Sequence, residues 1–213
     1  MVLLNDKLIF PPVEMATDEG IVAIGGDLEV ERLLLAYRSG IFPWYSEGEP
    51  IVWWSPDPRF VLFPEKLRVT KSMQSVLNNG SFRFTINRAF TAVIQNCKTV
   101  YRKEQEGTWI TPAVLQAYTQ LHALGYAHSA EAWMNGELVG GLYGIRLGNI
   151  FFGESMFSKA SNASKFAFIN YVKQLQKEKV ALIDCQVYTA HLESLGASMI
   201  RREIFMALLK EHI

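Results

Sequence analysis

Glu154 is the residue from which chemistry is most readily argued. It lies in the stretch 149–165, Asn-Ile-Phe-Phe-Gly-Glu-Ser-Met-Phe-Ser-Lys-Ala-Ser-Asn-Ala-Ser-Lys, as one carboxylate among aromatics where an exposed loop would carry solvated charges. Burying such a group is costly unless it is paired, so an acid in an apolar run invites a functional reading. In a strand Asn149, Phe151, Gly153 and Ser155 share one face, and Ile150, Phe152, Glu154 and Met156 the other. The plainer alternative is a buried strand whose Glu154 pairs with a neighbouring basic group. A second polar pair ends the apolar run Val180-Ala181-Leu182-Ile183. Residues two apart share a face, so Asp184 and Gln186 should project together from the carboxyl end of a central strand while Cys185 points into packing. His122 and His128 lack metal-ligand spacing, and no metal site is expected. Cys97 and Cys185 stand far apart with no Cys-x-x-Cys, which supports neither a disulfide framework nor a zinc knuckle.

The elements that hold these groups follow from periodicity and turn residues. Residues 1–62, dense in Pro, Gly and Trp, predict a small N-terminal domain of compact irregular structure around one helix, with little room for sheet. A short strand, Ile21 to Ile24, leads to Gly25-Gly26-Asp27, with Asp27 as N-cap for a helix Leu28 to Ser39 closed by Gly40. Trp44 is a candidate stacking platform, whereas Trp53 and Trp54 read as packing. Residues 63–213 form the second domain. Thr70 to Asn78 and Phe90 to Cys97 read as helices, Phe82 to Ile86 as a strand, and Tyr101 to Gln105 as a charged loop. Thr111 and Pro112 then cap and open a helix to Gly125, which leaves Trp109 in a loop just ahead of it. His128 to Met134 and Glu137 to Leu147 are strands joined by Asn135-Gly136, a strong hairpin signal, and Gly148-Asn149 turns into Ile150 to Phe157. A helix Ala163 to Lys179, capped by Ser161 or Asn162, precedes the buried strand that ends in Asp184. A right-handed crossover lays that strand parallel to Ile150 to Phe157. A helix Thr189 to Leu195 stopped by Gly196, a strand Met199 to Arg201 and a helix Glu203 to Lys210 follow.

The composition, 213 residues with 49% hydrophobic and 20% charged, suits one large or two small domains with a substantial core. Lys plus Arg equals Asp plus Glu, at 21 each, which argues against holding long nucleic acid mainly through its phosphates. No run approaches a membrane span or a secretory signal, and a reduced, cytoplasmic protein is the simplest expectation.

Meander, helix, buried strand, helix, strand is the order that resembles the N-acetyltransferase superfamily, so the expected fold is α+β: an N-acetyltransferase-like mixed sheet with flanking helices behind the small N-terminal domain. An acyl-CoA enzyme of that kind needs a glycine-bearing loop to cradle a pyrophosphate, and here Ser158-Lys159-Ala160-Ser161-Asn162-Ala163 occupies the place. Gly153-Glu154-Ser155-Met156-Phe157 also looks like half of a hydrolase nucleophile elbow, with Ser155, Asp184 and His191 in the matching order. Phe157 stands where the second glycine belongs, and Asp184 and His191 are too close in sequence.

Seven words together are more specific than any of these patterns. Ile24-Gly25-Gly26-Asp27-Leu28, Gly40-Ile41-Phe42-Pro43-Trp44, Trp53-Trp54-Ser55-Pro56-Asp57-Pro58-Arg59, Glu106-Gly107-Thr108-Trp109-Ile110-Thr111, Gly153-Glu154-Ser155-Met156-Phe157-Ser158, Asn162-Ala163-Ser164-Lys165 and Leu182-Ile183-Asp184-Cys185-Gln186 resemble, in order, the leucyl/phenylalanyl-tRNA-protein transferase family. The resemblance implies a cytoplasmic enzyme that moves Leu or Phe, with Met as a further candidate donor, from aminoacyl-tRNA to the N-terminal Arg or Lys of acceptor proteins, marking them for degradation. It implies catalytic Asp184, Gln186 and Glu154, with Glu154 holding a cationic amine. It further implies an apolar side-chain pocket of Leu142, Phe151, Tyr171 and Ile183, and a site for the tRNA 3′-adenosine at Trp44, Trp109 and Ser155. An aminoacyl ester is already activated, so no cofactor, metal or covalent enzyme intermediate is required. The attacking α-amine, of pKa about 8, needs only positioning and modest proton acceptance, with Gln186 bonding the amine and Asp184 polarising the arrangement. Relatives can show a basic cluster on the helix after residue 70, whereas this chain keeps Lys71 beside Gln74, Ser75, Asn78 and Asn79. Lys159, Lys165, Arg201 and Arg202 are the candidates to make up the tRNA phosphate contacts. The chain is expected to act as a monomer without membrane contact. The competing classes are an acyl-CoA-dependent N-acetyltransferase and a non-catalytic RNA- or peptide-binding module.

Overall fold

The computed structural model describes residues 2–99 and 109–213, so the loop expected over Tyr101 to Gln105 and the word Glu106 to Thr108 lie outside the described residues. The chain opens with β1 (Val2–Leu4), β2 (Ile21–Gly25), α1 (Val30–Arg38), β3 (Phe42–Pro43) and β4 (Val52–Trp54). There follow β5 (Arg59–Leu62), α2 (Lys71–Asn78), β6 (Arg83–Ile86), α3 (Phe90–Thr99), α4 (Pro112–Ala123), β7 (Ala127–Met134), β8 (Glu137–Leu147) and β9 (Ile150–Ser158). The last elements are α5 (Ala163–Lys177), β10 (Leu182–Gln186), α6 (Ala190–Ser194), β11 (Ser198–Ile200) and α7 (Arg202–His212).

Local chemistry accounts for the boundaries of most of these. Thr111 Oγ1 accepts the Val114 N–H at 3.2 Å and Pro112 fills the first turn of α4, while Thr70 caps α2 in the same way. Asn135 and Gly136 both take positive φ, 53° and 84°, which gives the tight hairpin between β7 and β8 a twist that matches its strands. Buried Glu131 on β7 accepts the N–H groups of Arg88 and Ala89 ahead of α3 and the hydroxyls of Ser129 and Thr85, so it serves as a cap supplied from the sheet.

Two sheets result. The larger has seven strands in the order β11-β5-β10-β9-β8-β7-β6, with β10 parallel to β9 as the crossover requires. Its central meander, crossover helix and parallel strand give a mixed α+β architecture. One face packs on α1, α3, α4 and α7 through Tyr37, Val93, Tyr118, Phe152 and Phe205; the other packs under α5 through Phe151, Phe166, Ile169 and Ile183.

Several expectations are corrected. The N-terminal region contains a four-stranded sheet, β1-β2-β4-β3, whose strands of two to five residues are too short to show a period. Strand β5 belongs to the larger sheet, between β11 and β10, although a boundary after residue 62 groups it with the small domain. Helix α1 begins at Val30, and Asp27 accepts the Glu29 N–H and pairs with Arg32 instead of capping it. Asn162 stands at the cap position of α5 in a left-handed conformation without a side-chain bond, and Ser158 Oγ accepts the Ser164 N–H there.

Strict alternation also fails at two adjoining places. In the β8–β9 ladder Tyr143 faces Ser155 and Gly144 faces Gly153, so Glu154 is an extra residue on β9. Gly144 permits this, because a Cβ there would run into the Phe152 carbonyl oxygen and the Phe151 ring. Beyond the bulge the faces exchange: Phe157 joins Phe152, and Met156 joins Phe151. On β10, Asp184 pairs with Val61 and Gln186 with Phe60, which leaves Cys185 extra and Gln186 at φ 65°. A positive φ at a residue other than glycine costs energy and must be held by its surroundings.

That hold is an ion pair. Arg59 Nε donates to Asp184 Oδ1 at 2.8 Å and a second guanidinium nitrogen to Oδ2 at 2.7 Å, both side chains being buried. The Gln186 N–H adds a bond to Asp184 Oδ1 at 2.9 Å, closing the bulge on itself. The guanidinium lies between the rings of Phe42 and Phe205, 4.7 and 4.6 Å from their centroids, so it joins the N-terminal region, the large sheet and α7. Arg59→Met should destabilise the protein by about 3–5 kcal/mol in urea unfolding, because Asp184 is left buried without a counter-charge. A loss below about 1 kcal/mol would show that the pair does not hold the bulge.

Candidate active site

The two bulges aim Glu154 and Gln186 at each other. Gln186 Nε2 donates to Glu154 Oε1 at 2.9 Å, and the two side chains form a partition between two cavities. The larger, about 460 Å³, has an apolar end of Leu142, Phe151, Met156, Phe168, Ile183 and Leu192. Its polar rim is Glu154, Ser155, Gln186, Thr189 and His191. The smaller, about 90 Å³, is framed by Phe42, Pro43, Trp44 and Trp109 and closed by Glu154, Gln186 and Val187. Trp109 is buried and meets Tyr118 edge-on at 6.5 Å, while Trp44 is 39% exposed and packs on Trp54 at 5.9 Å. The arrangement suits a substrate with an aromatic group on one side of the partition and an apolar side chain on the other, its polar linkage lying across Glu154 and Gln186.

Glu154 has further partners from the opposite layer. The Tyr37 hydroxyl lies 2.7 Å from its Oε1 and the Tyr118 hydroxyl 3.2 Å from its Oε2, and the two phenol oxygens are also within hydrogen-bond distance of each other. Tyr37 comes from α1 and Tyr118 from α4, both fully buried. Among the described residues no cation pairs with Glu154, so the plainer reading of an ion-paired strand acid is overturned. Burial raises the Glu154 carboxyl from 4.5 to about 7; the bonds from Tyr37, Tyr118 and Gln186 oppose the rise and the nearby Asp184 charge adds to it. Burial, then the charge of Glu154, pushes both phenols well above the ordinary tyrosine range.

Asp184 does not stand beside Gln186 as alternation predicts. Both its oxygens are taken by Arg59, it lines neither cavity, and its link to Gln186 runs through the backbone N–H. Cys185, expected in packing, is buried but lines the larger cavity, and burial pushes its thiol far up. Leu142, Phe151 and Ile183 come together as expected. Tyr171 is outside the wall: its ring packs edge-on against Phe151 at 5.0 Å, supporting that wall from behind. Trp44 and Trp109 meet across the smaller cavity, whereas Ser155 lines the larger. The order Ser155, Asp184, His191 forms no relay, since Asp184 is occupied by Arg59 and the buried His191 Nε2 has no hydrogen-bond partner.

The basic candidates are scattered. Lys71 and Arg201 are exposed, the latter 3.7 Å from Glu203; Lys159 is exposed over the Phe157 ring, and Lys165 is half-buried on the first turn of α5. Arg202 is structural, donating to the Ser55 carbonyl at 2.6 Å while its N–H bonds Asp57. Among the described residues no cluster of three His, Cys, Asp or Glu could hold a metal. The sequence reading missed Tyr37, Tyr118, Arg59, Met156, Phe168 and Leu192. The tyrosines sit at core positions of their helices, and only the unexplained acid in β9 hinted that a polar partner was needed.

Residues 61–210 match the family model described as leucyl/phenylalanyl-tRNA protein transferase, and residues 26–57 match the model of its N-terminal domain. A leucyl/phenylalanyl-tRNA–protein transferase of Flavobacterium johnsoniae is 57% identical, covering 99% of both chains. One from Syntrophobacter fumaroxidans is 54% identical over 99% of this chain and 90% of its own. Among solved structures, a GCN5-related N-acetyltransferase from Kribbella flavida aligns over 78% of this chain and 59% of that one, at TM-score 0.36 and 10% identity.

A carboxyl titrating near 7 in the folded protein, against 4.5 ordinarily, contributes stability that is fully present below about pH 4.5 and lost as pH rises through 7. The stability of the parent relative to Glu154→Gln should therefore fall by roughly 2–3 kcal/mol between pH 4.5 and 8 in urea unfolding. A difference independent of pH would show that Glu154 titrates as an ordinary surface acid.

Proposed function

The chain belongs to the leucyl/phenylalanyl-tRNA protein transferase family, and from that premise we propose how its two cavities and their partition carry out aminoacyl transfer from tRNA to protein. The observation that carries the reading is the Glu154–Gln186 contact of 2.9 Å as the shared wall of an apolar cavity and a tryptophan-framed one. The 3′-adenosine of aminoacyl-tRNA stacks between Trp44 and Trp109, and the Leu or Phe side chain fills the end walled by Leu142, Phe151, Phe168 and Ile183. The ester joining them then crosses the partition.

Glu154 holds an amine at that ester, a cation lowering the free energy of its buried charge. Gln186 gives its Nε2–H to Glu154, which leaves its Oε1 free to accept an N–H of the attacking α-amine and aim the nitrogen lone pair at the ester carbon. A bond forms from nitrogen to the carbonyl carbon, the carbon–oxygen ester bond breaks, and the ribose oxygen leaves with one proton. The ester's own activation drives this, so neither nucleotide hydrolysis nor a metal is needed. Asp184 is a positioning residue: fixed by Arg59, it holds the Gln186 backbone in the conformation that turns the carboxamide toward Glu154. The acceptors are proteins with N-terminal Arg or Lys, which the added Leu or Phe marks for degradation.

Incubation of the protein with an Arg-ending peptide and either radiolabelled Leu-tRNA or acetyl-CoA tests the reading: label should pass from Leu-tRNA alone, and acetyl transfer would overturn it. Glu154→Ala and Asp184→Ala should each lower leucyl transfer by about 10²-fold or more in protein that remains folded by circular dichroism. Activity within a few-fold of the parent would remove either residue from the site. Trp44→Ala should raise KM for Leu-tRNA by roughly 5- to 100-fold with little change in kcat, as loss of ~1–3 kcal/mol of stacking requires.

A further inference from the structure

Three oxygen groups meet where α1, α4 and β9 converge. Tyr37 and Tyr118 each contact Glu154, and they contact each other, which makes three hydrogen bonds in a closed ring. Two phenols carry two hydrogens between them, so all three bonds are satisfied together only when Glu154 supplies the third. Once Glu154 is ionised both phenols can turn to it, and the contact between them loses its hydrogen. The ring therefore has two arrangements that differ by one proton, and Glu154 faces both cavities from its edge.

We propose that Tyr37 and Tyr118 are positioning residues which make Glu154 a proton carrier in the transfer step, its carboxylate taking the proton of the attacking amine and returning it to the departing ribose oxygen. This deepens the transferase reading above and rests on it. The balance is complete within the site. The neutral amine bonds to the ester carbon, its surplus N–H proton moves to the Glu154 carboxylate, and the ester carbon–oxygen bond breaks. The same proton then goes to the ribose oxygen, so Glu154 ends as it began. The phenols adjust by reorienting hydroxyl hydrogens with no movement of the chain, since both rings are fully buried and packed, Tyr37 on Phe152 at 5.0 Å and Tyr118 on Tyr143 at 5.8 Å.

Other groups around Glu154 do not take this part. From β10 the Gln186 carboxamide is a donor that does not titrate, and Asp184 is locked to Arg59 of β5. From the N-terminal side the Tyr45 hydroxyl lies 3.3 Å from Thr111 Oγ1. Among the described residues, only the two phenols from α1 and α4 join Glu154 as titratable hydrogen-bond partners.

The test uses the full chain with Leu-tRNA and an Arg-ending peptide. Tyr37→Phe and Tyr118→Phe, which keep ring packing, each remove one bond to the carboxylate. Each should move the acidic limb of the kcat profile upward by about one pH unit, whatever happens to the height of the plateau. The acceptor amine contributes its own limb in parent and variants alike, so a shift between them belongs to the enzyme. Difference infrared spectroscopy of the unliganded protein supplies a second readout: the protonated carboxyl band lost in Glu154→Gln should persist to higher pH in both phenylalanine variants. A lowered plateau with neither limb nor band moved would make the tyrosines packing alone and overturn the proposal. If the parent transferred nothing from Leu-tRNA, the transferase reading itself would fall, and this one with it.

Discussion

The buried pair of Arg59 and Asp184 is the constraint on which the rest of the site depends. Removing both charges from water is expensive, and the bidentate geometry, the Gln186 N–H and the rings of Phe42 and Phe205 together make it tolerable. The energy is used for placement. The bond from Gln186 N–H to Asp184 fixes a left-handed residue at the end of β10, and that turn sends the carboxamide across to Glu154. Substituting an apolar pair would spare the desolvation but lose the hydrogen-bond acceptor that pins the bulge.

The site's two carboxylates are given opposite surroundings. Asp184 meets a guanidinium on both oxygens, whereas the half-buried Glu154 meets, among the described residues, only neutral donors. Such divergence between neighbouring acids separates a fixed charge from an exchangeable one. Here the ion-paired carboxylate shapes the backbone and the other faces the cavities.

Much of this was legible in the sequence, and what was not has physical causes. The meander, the crossover helix and the parallel strand carried strong local signals: Asn135-Gly136, helical spacing from Phe166 to Leu175, and an apolar run before Asp184. Local caps at Thr70 and Thr111 were equally readable, because their bonds span three residues. The bulges at Glu154 and Cys185 were not, since a period of two extrapolates through an inserted residue and assigns every later side chain to the wrong face. Met156 and Phe157 exchanged faces for that reason. Arg59 and Asp184 are 125 residues apart, and Tyr37 and Glu154 117 apart, beyond any local rule. The tyrosines looked like core because they are core, with only their hydroxyl tips given to the site.

The partition between the cavities has an evolutionary consequence. On the proposed reading, recognition of the nucleoside and of the amino acid falls to separate compartments that share, among the described residues, Glu154, Gln186 and Val187. Changes at Leu142, Met156 or Phe168 can remodel one chamber without disturbing the tryptophans of the other. Such a chain can broaden or narrow its range of donors by drift in a single wall, while its grip on the carrier and its reacting groups stay as they are.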